Sequence, residues 1–92
     1  MTDEQSIPPI AETAPTDAIL TKYDKEHLVI YLRLLDAEDS GAEWEEVAQI
    51  VLKLDPTADR PRARRTWESH LARAHWLTNN GYRQWLRGGS VG

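Results

Sequence analysis

Three histidines and one acidic run are the residues of this sequence whose types could support metal binding or proton transfer. His70 and His75 are five positions apart, so on a helix they point roughly 140° apart and cannot share a metal site. His27 lies in another segment without a matching carboxylate motif. The run DAEDSGAEWEE lacks the alternating oxygen ligands and central glycine of an EF-hand loop. These patterns predict structural histidines and a solvated acidic surface, with no metal site.

Other common chemical motifs are also missing from the sequence. There is no cysteine, so thiolate metal sites and cysteine nucleophiles are excluded, and the composition is typical of a reducing cytoplasm. The chain carries no phosphate-binding glycine loop and no nucleophile elbow. It also shows neither a signal sequence nor an apolar run long enough to span a membrane. We therefore expect a cytoplasmic binding protein that is not an enzyme and needs no cofactor.

The distribution of charge is uneven along the 92 residues. The chain has 15 acidic and 11 basic residues, for a formal net charge of -4. Residues 1–54 contain 12 acidic and 4 basic residues, whereas residues 55–92 contain 3 acidic and 7 basic residues. The molecule is expected to have one acidic and one basic side. Because the total is negative, long-range attraction to DNA is weak, and DNA is an unlikely partner on this ground.

Apolar spacing predicts helices that would position these charges. Helix one is expected from about Asp24, which would cap it, to Asp39, with a buried stripe of Leu28, Tyr31, Leu32 and Leu35. Helix two is expected from the S-x-x-E capping box at Ser40 to about Leu54. No strand-like alternation competes with this pattern.

The second half of the chain predicts a long helix and a short one. The stretch LDPTAD interrupts the pattern, since Pro56 does not continue a helix easily and Asp59 can cap the next one. Helix three is expected from Arg60 to Thr78, and a short last helix from Tyr82 to Arg87.

The predicted fold class is therefore all-α, with a three-helix, extended-turn helix-turn-helix domain, a short C-terminal helix and a flexible N-terminal tail. The tail would comprise residues 1–18, which contain three prolines and no apolar period. The domain would comprise residues 19–89, and residues 90–92 would form a flexible end.

The sequence does not determine what covers two of the predicted helix faces. On helix three, Trp67 and Leu71 share a core face, whereas Arg65, Arg73 and Trp76 lie on the opposite side. That side is covered by the last helix, through Tyr82 or Trp85, or contacts a partner. On helix one, a second stripe containing Ile30 and Leu34 is covered by the tail or last helix, or docks a partner. The candidate partner-binding residues are Ile30, Leu34, Arg65, Arg73 and Trp76.

A second interpretation uses the arginines at the start of helix three. In a helix-turn-helix motif the early residues of the second helix enter the major groove. The candidate nucleic-acid contacts are then Arg60, Arg62, Arg64 and Arg65. The connection from Leu54 to Asp59 is longer than in the common motif, which indicates an extended-turn variant.

The segments YDKEHLVIYLRLLDAEDSGAEWEEVAQIVL and RARRTWESHLARAHWLTNNGYRQWLRGG resemble an extended-turn helix-turn-helix family of proteobacterial regulators. The resemblance covers roughly residues 19–89, and HLARA and GYRQWLRGG carry much of it. Some members are activators that have an additional N-terminal domain and bind DNA through a positive surface. Others are small antiactivators that control transfer of integrative and conjugative elements.

The acidic first half and the short N-terminal segment favour the antiactivator branch. The resemblance then implies a protein that binds the N-terminal domain of an FseA-like transcriptional activator and blocks excision and conjugative transfer. We expect it to be a monomer. A TraR-type quorum-sensing regulator is a second implied partner. The alternative is a DNA-binding regulator that uses the arginine-rich third helix.

Overall fold

The computed structural model describes residues 9–80, which contain four α-helices and no strand. These helices are α1 (Lys22–Glu26), α2 (Leu28–Asp39), α3 (Trp44–Ile50) and α4 (Arg60–Asn79). The all-α fold class is confirmed, and the order of α3, connection and α4 is compatible with a small helix-turn-helix domain. The predicted helix from Tyr82 to Arg87 lies outside the described residues. Within them, no helix has both the length and the apolar character needed to cross a bilayer.

The first predicted helix is divided into two helices by a break at His27, and the first of them begins at a cap on Thr21. The apolar pattern indicated neither the break nor this cap. Thr21, not Asp24, is the N-cap of α1: its Oγ1 accepts a hydrogen bond from the Asp24 amide at 3.1 Å. The Asp24 carboxylate accepts one from the Thr21 amide at 2.9 Å, which completes a capping box. His27 then departs from helical geometry, with φ -118° and ψ 23°, and separates α1 from α2.

The predicted capping box from Ser40 to Glu43 does not form. The Ser40 hydroxyl instead donates to the carbonyls of Asp36 and Ala37, at the C-terminal end of α2. Gly41 follows with φ 76°, a left-handed conformation that glycine adopts without steric cost. Glu43 is the N-cap of α3 through its backbone alone, without a side-chain hydrogen bond. Ser40 therefore ends one helix and does not begin the next.

The α3 helix ends at Ile50, four residues before the predicted end at Leu54. Lys53, two residues after the C-cap Val51, adopts φ 61°, a left-handed conformation that glycine adopts without steric cost. The Leu54 amide donates to the Ala48 carbonyl at 3.0 Å, which satisfies an acceptor near the helix end, and the Leu52 amide shares the Val47 carbonyl with the Val51 amide. A lysine thus stands where glycine is the usual residue.

A hydrogen-bonded turn joins α3 to α4. The Asp55 carboxylate accepts from the amide and the hydroxyl of Thr57, at 3.0 and 2.6 Å. Asp59 then caps α4, accepting from the Arg62 amide at 3.2 Å, so its predicted capping role is confirmed. The connection covers residues 51–59 and so has the length of an extended turn.

Two hydrophobic clusters hold α2 and α3 against α4. One contains the buried side chains of Ile30, Leu34, Val47 and Leu52, with Trp67 and Leu71 packed against it. The other contains Tyr31, Ala74 and Leu77. The core face predicted for α4 is thus the face that packs inward.

The buried residues of α2 differ from the predicted stripe. Ile30, Tyr31 and Leu34 are buried, whereas Leu28 and Leu35 are only partly so. The second stripe of the sequence analysis is therefore part of the core, because α2 turns its Ile30 and Leu34 side toward α3.

Residues 9–20 form neither helix nor strand and lie against α4. Ile10 packs on the first hydrophobic cluster, and Ala14 is buried. The Ala14 amide donates to the Ser69 hydroxyl at 3.0 Å. This segment contacts the α4 face that the sequence left for the last helix or a partner. The domain boundary at Ile19 stays a prediction.

Candidate nucleic-acid interface

Four arginines occur within the first six residues of α4. Their side chains are between 48% and 61% exposed, so the guanidinium groups reach solvent. At 3.6 residues per turn, Arg60 and Arg64 lie on one flank of the helix, about 40° apart. Arg62 and Arg65 lie on the other flank, about 60° apart. The start of α4 therefore presents positive charge along both edges of an exposed face.

Two tryptophans support the first flank. The Arg60 and Arg64 guanidinium groups lie over the Trp44 ring, at 5.0 and 5.1 Å from its centroid. Arg64 also lies 5.2 Å from the centroid of Trp67, whose ring is 5.9 Å from Trp44. These are cation-π distances. The first residue of α3 thus fixes two arginines of α4.

Carboxylates complete this flank. Arg60 Nη2 lies 2.6 Å from Glu45 Oε2, and Arg64 Nε lies 2.9 Å from Glu68 Oε2. The Arg60 guanidinium lowers the pKa of Glu45, which keeps that carboxylate charged. Because both pairs are exposed, each is weak enough for a phosphate to replace the carboxylate.

One carboxylate from the N-terminal segment serves the second flank. Glu12 Oε2 lies 2.9 Å from Arg65 Nη2, and Oε1 lies 3.6 Å from Arg62 Nη2. The hydrogen bond from Arg65 and the charge of Arg62 lower the pKa of Glu12. All four arginines at the start of α4 are therefore paired with acidic side chains.

A buried ion pair fixes the middle of α4. Arg73 donates from Nη2 and Nε to the two oxygens of Asp24, at 2.7 and 3.1 Å. It also donates to the carbonyls of Asp17 and Ile19, at 2.6 and 2.9 Å. Burial opposes ionisation of Asp24, but hydrogen bonds from Arg73, Thr21 and Tyr31 outweigh it and lower the pKa of Asp24. This pair fastens α1 and the preceding segment to α4.

A second buried contact joins α1 to α4 through Tyr23 and His70. His70 Nδ1 lies 2.7 Å from the Thr66 carbonyl, which can only accept, so Nδ1 carries a proton. Burial lowers the pKa of His70 and favours the neutral ring, whose Nε2 accepts from the Tyr23 hydroxyl at 2.6 Å. The same hydroxyl accepts from the Ala11 amide at 2.9 Å. His70 is therefore a structural histidine.

The candidate partner-binding residues occupy different environments. Ile30 and Leu34 are buried in the first hydrophobic cluster, and Arg73 is buried in its ion pair with Asp24. These three side chains are not accessible to a partner in this conformation. Arg65 is exposed, and Trp76 is partly buried with the Arg73 guanidinium 4.1 Å from its ring centroid. The structure thus does not place the five on one surface, and their role in partner binding stays untested.

No group of three His, Cys, Asp or Glu side chains among residues 9–80 is arranged to hold a metal ion. The polar groups concentrated at the start of α4 are guanidinium and carboxylate groups. Such a surface can bind and release polyanions, and it offers no nucleophile activated by a neighbouring base.

Comparison with known families favours one of the two interpretations of the chain's function. A family model described as RovC_DNA-bd, the DNA-binding domain of a T6SS transcription factor, matches residues 5–87. The chain belongs to this family. RovC_DNA-bd is a family of DNA-binding domains of transcription factors, not an enzyme family. No curated protein matches the sequence.

Membership of the RovC_DNA-bd family corrects the expectation about partners. The expectation that DNA is an unlikely partner was wrong, because the matching model describes a DNA-binding domain. The error came from relying on net charge, which does not describe how charge is distributed over the molecular surface. The match does not support an FseA-like or TraR-type protein partner, an antiactivator role, or a link to quorum sensing and conjugative transfer.

Sequence reasoning located the four arginines but missed the residues that hold them. The stacking of Trp44 under Arg60 and Arg64 depends on how α3 crosses α4, which no local pattern in the sequence indicates. Glu12 lies in a proline-containing segment without periodicity, and no local signal indicates its pairing with residues about fifty positions away.

Proposed function

We propose that this chain is the DNA-binding module of a transcriptional regulator and that the start of α4 enters the major groove. The observation that carries the proposal is the set of four half-exposed arginines on both flanks of α4. Membership of the RovC_DNA-bd family supports it. In helix-turn-helix proteins the early residues of the second helix contact DNA, and here α4 follows α3 through an extended turn.

The arrangement of the arginines fits a groove with a phosphate backbone on each side. Arg60 and Arg64 would contact one strand, and Arg62 and Arg65 the other. Guanidinium groups bind phosphate in a bidentate manner, which makes them suited to this contact. The acidic side of the molecule limits attraction at long range, so contacts at short range carry the binding.

Fluorescence anisotropy of a labelled duplex of mixed sequence tests this function. The duplex is titrated at several salt concentrations with the wild type and with the double variant Arg62→Ala/Arg65→Ala. We expect binding that weakens with salt. The log-log slope should be smaller in the variant, by about 0.9 for each phosphate that the variant no longer neutralises.

The variant Arg33→Ala is the matched control, since it removes an exposed arginine of α2 that belongs to none of the ion pairs at the start of α4. It should leave the slope nearly unchanged. The proposal fails if the wild type does not bind the duplex even at low salt, or if Arg33→Ala reduces the slope as much as the α4 variant does.

A further inference from the structure

Glu12 bridges two of the arginines assigned to DNA contact. Its Oε2 lies 2.9 Å from Arg65 Nη2, and its Oε1 lies 3.6 Å from Arg62 Nη2. Each carboxylate oxygen thus faces a different guanidinium group. A DNA phosphate that approached this flank would need the same N–H donors.

The backbone around Glu12 is held in place on both sides. The Ala11 amide donates to the Tyr23 hydroxyl at 2.9 Å, and the Ala14 amide donates to the Ser69 hydroxyl at 3.0 Å. Ile10 packs on the first hydrophobic cluster, and Ala14 is 6% exposed. The carboxylate therefore reaches the arginines from an anchored segment.

The same segment is fixed further along α4. Its carbonyls at Asp17 and Ile19 accept hydrogen bonds from the buried Arg73 guanidinium, at 2.6 and 2.9 Å. The segment thus follows α4 from Arg62 to Arg73, about three helical turns. This course keeps Glu12 beside the start of the helix.

Fold stability gives little reason for this ion pair. The Glu12 side chain is 45% exposed, and those of Arg62 and Arg65 are 61% and 57% exposed. Exposed ion pairs contribute little to folding because water screens them. The anchoring contacts at Ala11 and Ala14 are made by backbone amides and do not need the carboxylate.

We propose that Glu12 is an internal competitor of DNA phosphate, which occupies Arg62 and Arg65 in the free protein and is displaced when a duplex binds. This inference rests on the proposed function and adds a regulatory contact to it. The N-terminal segment thereby lowers the affinity for DNA in general. Sequences that place a phosphate well against both arginines displace the carboxylate most effectively.

The test compares Glu12→Gln with Glu46→Gln in the DNA titration. Both variants remove one negative charge, but Glu46 is an exposed residue of α3 outside the ion pairs of α4. We expect Glu12→Gln to bind the duplex about threefold to tenfold more tightly, as follows from freeing two exposed ion pairs. Glu46→Gln should differ from the wild type by less than about twofold, the effect of an exposed charge that is paired with none of the four arginines.

A combined variant tests whether Glu12 acts through Arg62 and Arg65. In Arg62→Ala/Arg65→Ala, adding Glu12→Gln should give no gain beyond that of Glu46→Gln. Thermal unfolding of each variant verifies that it is folded, and Glu12→Ala repeats the comparison without the amide, which could still bond to arginine.

The outcomes separate this inference from the proposed function. If the wild type binds and loses affinity on removal of Arg62 and Arg65, but Glu12→Gln and Glu46→Gln bind equally, the competitor role is overturned and DNA binding stands. If neither the wild type nor Glu12→Gln binds any duplex, the proposed function fails and the competitor role fails with it.

Discussion

Asp24 and Arg73 form a two-point ion pair with both side chains almost completely buried. The Asp24 side chain is 0% exposed and that of Arg73 is 3% exposed, and the shortest N–O distance is 2.7 Å. The two residues are 49 positions apart in sequence. This pair joins the first turn of the fold to the middle of the helix that carries the candidate DNA contacts.

Removing one partner of this pair should destabilise the protein strongly. Arg73→Met leaves the Asp24 carboxylate buried without its cation, and such a loss costs about 3–5 kcal/mol. Urea unfolding followed by circular dichroism measures it. The double variant Asp24→Leu/Arg73→Met should lose less than the sum of the single variants, because it leaves no buried charge. If the losses of the two single variants add in the double variant, the ion pair is not the main contribution of these residues to stability.

Stability should decrease as the pH falls from about 7 to about 5. Burial lowers the pKa of His70, so the unfolded chain binds a proton on this ring at a higher pH than the folded protein does. Protonation also removes the Nε2 acceptor of the Tyr23 hydroxyl. Melting temperatures measured across this range should fall for the wild type. The decrease should be smaller in His70→Gln, and an equal decrease would show that another group is responsible.

Trp44 should position Arg60 and Arg64 for DNA, beyond its contribution to packing. Trp44→Leu should reduce affinity for a duplex about twofold to fivefold, as expected for exposed cation-π contacts, and Trp44→Phe should restore part of it. Anisotropy titrations give these values, and melting temperatures monitor the fold. In a double-mutant cycle with Arg64→Ala, the two losses should not add. Independent losses would show that the ring only supports the core.

Position 53 should favour glycine over alanine, because its backbone is in the left-handed conformation. With φ 61°, this residue is in a region that costs residues with a Cβ roughly 1–2 kcal/mol. Lys53→Gly should therefore be more stable than Lys53→Ala by about 0.5–1 kcal/mol. This difference is what remains of the conformational cost once the greater entropy of glycine in the unfolded chain is subtracted. Comparing the two variants removes the effect of losing the lysine side chain. Equal unfolding midpoints would contradict the conformation assigned to the end of α3.

Local signals in the sequence determined the all-α fold class and the position of the arginines. Asp59 followed by the periodic residues from Trp67 to Leu77 defines α4, because a cap and an apolar stripe act within the helix itself. The arginines at its start are exposed because they lie off that stripe. Four cationic side chains at this position supported the DNA-binding alternative, whereas the net charge pointed away from it.

Helix ends were predicted less well where a side chain had two possible uses. Ser40 can cap the helix after it or terminate the helix before it, and the backbone geometry at Gly41 selects the second use. Lys53 gives no terminating signal in the sequence, since lysine rarely adopts a left-handed conformation. The end of α3 is set by hydrogen bonds around this residue and by burial of Leu52.

Only the tertiary structure decided which charges meet. The partners of the α4 arginines come from the N-terminal segment, from α3 and from α4 itself, and only the pair within α4 is local in sequence. Asp24 and Arg73 likewise look like ordinary surface charges until α1 packs against α4. The sequence by itself determined that α4 carries positive charge at its start. The folded chain determined how that charge is held, because the packing of separate elements sets the distances between side chains.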